Sequence, residues 1–129
     1  MKKIIALSIV GFIICTAFKK PINLITDYRD AYTGIYTCKR YAERLNLQTK
    51  LYDLDTGKTN ITVTKADVDS VLQISVRGQN LQAKLISGGV LQPYPLESKN
   101  YGGKFASTSN LDFYYNPDRT LFSRYIGSK

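Results

Sequence analysis

Apolar and polar residues alternate along much of this chain with a period of two, the pattern of strands that bury one face. The alternation is clearest over Ile61-Thr62-Val63-Thr64, Leu72-Gln73-Ile74-Ser75-Val76 and Leu81-Gln82-Ala83-Lys84-Leu85. Arg77-Gly78-Gln79-Asn80 separates the last two as a tight turn, with Gly78 where positive φ is needed, so these strands are predicted to pair antiparallel. Further strand-like runs, rich in Tyr, Val, Ile and Thr, cover Ala31–Arg40, Leu47–Leu54, Tyr101–Ser107, Leu111–Tyr115 and Thr120–Ile126. Asp55-Thr56-Gly57-Lys58 and Asn116-Pro117-Asp118-Arg119 are predicted hairpin turns, because Asp, Gly and Pro favour the required backbone angles. Asp67-Val68-Asp69 is the turn expected before Val71. No segment keeps a helical period, although Asn23–Arg29 has room for one short helical turn. The one long connection is Ser87–Asn100, which carries Gly88-Gly89 and Pro93-Tyr94-Pro95.

The expected fold is therefore all-β, with about eight antiparallel strands in an up-and-down meander. Closure into a barrel removes the exposed edges that such a sheet otherwise leaves; a β-sandwich is the alternative.

The start of the chain breaks the pattern. Met1-Lys2-Lys3 is cationic, Ile4–Ile14 is almost unbroken apolar sequence, and Cys15-Thr16-Ala17 supplies small residues for cleavage. This reads as an export signal over residues 1–17, followed by a single barrel-like domain over 18–129. Cleavage after Ala17 gives a soluble product beginning at Phe18. Lipidation of Cys15, as in bacterial lipoproteins, gives an anchored one, but Ile14 stands where that processing motif has Gly, Ala or Ser. Either route is extracytoplasmic, and membrane contact is expected only with a lipid on Cys15.

Composition narrows the chemistry. The 129 residues include no His and no Trp, which removes Ser-His and Cys-His nucleophile pairs and imidazole metal sites. No catalytic constellation, metal site or cofactor is expected. Losing residues 1–17 removes Lys2 and Lys3 and lowers the net charge from +8 to +6. The basic residues are scattered among acidic ones, which fits a solvated surface and gives no basic stripe for nucleic acid. Cys38 becomes the only thiol of the soluble product and is expected to be a small buried hydrophobe.

Three short motifs have simpler explanations. Asp55-Thr56-Gly57 matches the core of aspartic proteases, but Asp53 interrupts the preceding apolar run and Lys58 follows at once, so a hairpin turn accounts for it. Gly57-Lys58-Thr59 resembles the end of a phosphate loop, yet Tyr52 stands where that loop needs Gly. Asp53-Leu54-Asp55 opens like a calcium loop, but the third ligand position is Gly57 and no distal Glu follows.

Tyr is in excess, with 10 copies. Tyr94, Tyr101, Tyr114 and Tyr115, near or on the long connection, are the candidate ligand-binding group, since tyrosines at loops and strand ends stack on sugars or apolar ligands.

Tyr32-Thr33-Gly34-Ile35-Tyr36 resembles the Gly-x-Trp element that opens lipocalins and related calycin barrels, with Tyr36 in place of Trp. In that family a basic residue on the last strand covers the aromatic ring, and Arg124 in Ser123-Arg124-Tyr125 matches it. The resemblance implies that Gly34, Tyr36 and Arg124 close the barrel, a guanidinium over an aromatic face being worth about 0.5–2 kcal/mol. The chain departs from the family in placing Thr26-Asp27-Tyr28 before the first strand and in having no helix after Ile126. It also resembles small calycin-like proteins of bacterial envelopes.

Two functions remain open. One is a non-catalytic exported binding module of the cell envelope that holds an apolar or glycan ligand. The other is an envelope protein-interaction or inhibitor-like protein acting through the 87–101 loop. A cavity inside the fold favours the first and a solid core favours the second.

Overall fold

The computed structural model describes residues 27–96 and 100–129. The export segment, Cys15 and Phe18 lie outside them. Eight antiparallel strands follow in chain order: β1 (Gly34–Leu45), β2 (Tyr52–Lys65), β3 (Val71–Val76), β4 (Gln79–Ile86), β5 (Val90–Pro93), β6 (Tyr101–Ser107), β7 (Asn110–Asp118) and β8 (Leu121–Ser128). Each pairs with the next, and β8 returns to β1, from Thr37 opposite Ser128 to Arg44 opposite Leu121. One continuous ladder thus closes into a barrel-like ring, and the two-sheet alternative falls.

The period of two decides what lies inside. Tyr36 and Cys38 of β1, Ile61 and Val63 of β2, Leu72, Ile74 and Val76 of β3, and Phe113 and Tyr125 across the ring are all essentially solvent-free. Each large apolar side chain buried in this way stabilises the fold by about 1.5–3 kcal/mol. Burial also pushes the Cys38 thiol up to about 11, which leaves it neutral and unreactive.

The strand count agrees with expectation although three details do not. Of the predicted strand Leu47–Leu54 only Tyr52–Leu54 is extended, and it belongs with Ile61–Thr64 to one strand, β2, so the Asp55-Thr56-Gly57-Lys58 turn does not exist. A twelve-pair ladder with β1, running from Gly34 opposite Val63 to Leu45 opposite Tyr52, overrides the local turn preference. The real β1–β2 turn is at 46–51, where Asn46 Oδ1 accepts from the backbone N–H groups of Gln48 (3.0 Å) and Thr49 (3.2 Å). Conversely, the long connection contains β5. Gly88 and Gly89, with φ of 78° and 77°, turn the chain so that Val90–Pro93 pairs with β4 and Leu91 enters the core. The β7–β8 turn falls slightly later than predicted, because Asn116 and Pro117 still belong to β7.

The two ends of the ring differ. At the first, the 3-10 turn Tyr28–Ala31 lies against the 66–70 connection. Arg29 donates there to the carbonyls of Ala66 (3.0 Å), Val68 (3.0 Å) and Val71 (2.8 Å), while its other nitrogens bind Asp27. At the second, β3 and β4 stop at the Arg77-Gly78 turn, but β1 and β2 run on as a paired arm.

Candidate functional site

The four candidate tyrosines do not converge. Tyr101 and Tyr115 are register partners facing inward, and Tyr101 is only 5% exposed. Its hydroxyl donates to Gln82 O at 2.6 Å, so it ties β6 to β4. Tyr114 points outward across Gly102, whose missing Cβ makes room for the ring. Tyr94 sits exposed at the rim. Alternation separates Tyr114 from Tyr115, and a shared site requires one face.

Tyr36 and Arg124 do not meet either. The register places Arg124 opposite Tyr41, five positions or about 17 Å along the strand from Tyr36. Arg124 instead pairs with Asp112 on the outer surface, Nε to Oδ1 at 2.9 Å and Nη2 to Oδ2 at 2.6 Å, and this hydrogen bonding holds the Asp112 carboxyl below its ordinary range. The basic group over the Tyr36 ring is Lys129, whose Nζ lies 5.4 Å from the ring centre and donates to Ala31 O (2.6 Å) and Thr33 O (2.8 Å). Gly34 leaves space for it, since a Cβ there would stand 3.1 Å from Lys129 Cδ. The aromatic-plus-cation closure is present with a different cation.

The unsatisfied surface is at the open end. Beyond Ile61, β2 has β1 on one side and, among the described residues, no strand on the other, because β3 ends at Val76 opposite Ile61. Residues 52–60 of this arm are exposed or half-exposed along their whole length. Tyr52, Leu54 (75% exposed), Tyr41 of β1 and Phe122 of β8 present large apolar side chains on the outer face, and Leu47 and Leu51 do so at the tip. The inner face is charged: Arg40 pairs with Asp55, and together with Arg44, Asp53, Arg77 and Leu121 they line a hollow of about 180 Å³. A wider concavity of about 640 Å³ lies between the arm and the β7–β8 hairpin, against Tyr52, Phe122, Arg119 and Pro117. None of the main concavities is lined by Tyr36, Ile61, Val63, Ile74, Phe113 or Tyr125.

Asp55, the residue of the protease-like triplet, is ion-paired with Arg40. Among the described residues no three of His, Cys, Asp and Glu gather where a metal could be held. The arm itself was hidden from the sequence reading by its turn-like composition, although Leu51, Tyr52 and Leu54 among polar residues were its visible trace. Comparison with family models, curated proteins and solved structures gives no match to this chain.

Proposed function

We propose that the protein is a non-catalytic recognition module of the bacterial cell envelope that binds a protein partner through its open end. The observation that carries this reading is the contrast between a core filled by its own side chains and an arm that holds Tyr52, Leu54, Leu47 and Leu51 out in solvent. Exposed clusters of this kind mark interaction surfaces. The envelope location rests on the pattern of residues 1–17, with Cys15 as the anchoring point if it carries lipid. This reading favours the arm over the 87–101 loop, whose Val90–Pro93 segment is committed to the sheet and whose exposed apolar side chains among the described residues are Val90, Tyr94 and Leu96.

A photo-crosslinking residue placed at Leu54, in cells that make the protein naturally, should give one discrete protein adduct. The same residue at Lys84, on the outer face of β4, should give none. Equal labelling at both positions would count against the reading, as would a small molecule that copurifies in stoichiometric amount.

A second reading, a glycan ligand, rests on the outer groove of about 490 Å³ where Tyr114 and Phe122 flank the Asp112–Arg124 pair. Tyr114→Ala should abolish retention on an envelope-polysaccharide column if that groove is the site.

A further inference from the structure

We infer that the partner is held as an added strand: an extended peptide segment pairs antiparallel with the free edge of β2 from Tyr52 to Lys58, placing an acidic side chain beside Lys58 and a basic one beside Asp53. This deepens the protein-recognition reading and rests on it. The phase of the ladder sets which backbone groups are free. Asn46 N–H donates to Leu51 O at 2.8 Å, so Asn46 and Leu51 are a bonded pair and Leu45 and Tyr52 a non-bonded one. By alternation, Asp53, Asp55 and Gly57 exchange bonds with β1, while Tyr52, Leu54, Thr56 and Lys58 point N–H and C=O away from it. On that side the described residues supply no strand. Four such residues offer an antiparallel guest roughly eight hydrogen bonds, two per bonded pair.

A second copy of this chain does not fit the edge. A two-fold axis at Asp53 or Asp55 sets that Asp against its own copy, an axis at Leu54 sets Asp53 against Asp55, and an axis at Lys58 sets two lysines together. An axis at Thr56 or Gly57 avoids like charges, but it carries the partner's Leu51 or Asp53 to the level of Ile61, where Val76 already stands, and an axis at Tyr52 faces the strand with the 46–51 turn, where Lys50 has a φ of 61°. A segment without a hairpin tip meets neither obstacle.

Charge then selects the segment. Among the described residues Lys58 and Asp53 have no ion-pair partner, whereas Asp55 is paired with Arg40. Lys58 and Leu54 lie on the outer face and Asp53 on the inner one, as their register with Lys39, Glu43 and Arg44 requires. An antiparallel guest therefore meets Lys58 first with an acid, Leu54 later with an apolar residue, and Asp53 next with a base.

The test uses the chain from Phe18 to Lys129 and two blocked peptides, Glu-Thr-Val-Thr-Val-Lys-Tyr and its charge-exchanged form Lys-Thr-Val-Thr-Val-Glu-Tyr. Amide exchange followed by NMR at millimolar peptide should slow at Tyr52, Leu54, Thr56 and Lys58, and stay unchanged at Asp53, Asp55 and Gly57. The first peptide should bind at least about threefold tighter than the second. Thr56→Pro removes an N–H that bonds nothing in the fold, and should cut binding at least about tenfold with the melting temperature kept. Lys58→Glu, a milder change, leaves each peptide one matched and one opposed charge pair and should remove the preference between them. Absence of alternating protection, or concentration-dependent dimers that Thr56→Pro dissolves, overturns the inference. Crosslinks at Leu54 that survive Thr56→Pro overturn it too while leaving protein recognition standing, whereas loss of all arm crosslinks in the wild type removes both.

Discussion

At the closed end of the ring, Arg29 gives its guanidinium to three carbonyls and a carboxylate, Tyr36 donates to Tyr32 O at 2.7 Å, and Lys129 spans the mouth to Ala31 and Thr33. At the open end, the β2 arm leaves every second backbone group of residues 52–58 to solvent and holds Leu54 and Tyr52 outside. Both ends grow from the same strands, so the difference comes from strand length: β3 and β4 stop short, and β1 and β2 do not. Stability is concentrated where loops are bolted down, and recognition surface where the ladder runs out of partners.

The most damaging change should be Tyr36→Ala, which empties a fully buried site and removes a hydrogen bond. A loss of about 3–5 kcal/mol is expected in urea unfolding. In the same assay Leu54→Ser should stay within about 0.5 kcal/mol of wild type. Similar losses for the two would erase the contrast between the ends.

Arg29→Leu should follow. The carbonyls of Ala66, Val68 and Val71 lose their shared donor, so the 66–70 connection should become open to limited proteolysis and the melting temperature should fall by several degrees. Amide exchange on the arm should not change, and a change there would mean that the two ends are coupled.

Acid separates the ends more finely. Hydrogen bonds from the Arg29 side chain hold the Asp27 carboxyl down at about 2, against an ordinary 3.8. A depressed carboxyl adds stability that is full above the unfolded value and is lost as pH falls through the folded one. The melting temperature should therefore drop between about pH 4 and 2, and Asp27→Asn should flatten part of that drop. In alkali the sign reverses for Tyr36 and Cys38, whose burial pushes them up to about 12 and about 11. Their contribution is full below their unfolded values and falls as pH rises through the folded ones.

The smallest effect belongs to Asp118→Ala. Asp118 Oδ1 accepts from Thr120 N at 2.7 Å and Leu121 N at 3.0 Å at the tip of the β7–β8 hairpin. Its loss should loosen that turn, measured as faster exchange at Thr120 and Leu121, with little change in global stability.

The fold was largely legible because alternation is local: Ile61–Thr64, Leu72–Val76 and Leu81–Leu85 carry their inward faces in their own residue types. Ladder length was not legible. Whether Asp55-Thr56-Gly57-Lys58 bends or stays extended depends on β1 lying alongside it, and β1 is distant information. The same holds for the closure cation, since Arg124 and Lys129 both lie near the end of the chain and only the β1–β8 register brings Lys129 to Tyr36. Arg29 left no sequence signal, because its partners are backbone carbonyls that any residues would provide.

Lys129 has a further consequence as a strap across the mouth. Its grip on Ala31 and Thr33 brings the last residue beside the point where the chain enters the fold, on the side opposite the arm. A tether attached upstream of Asp27, whether a lipid, a linker or an engineered surface tag, therefore pulls on the same face as a tag placed at Lys129. From either attachment the arm points outward from the support, like a tool held by its handle, and immobilisation through one terminus should leave the peptide-binding edge as accessible as immobilisation through the other.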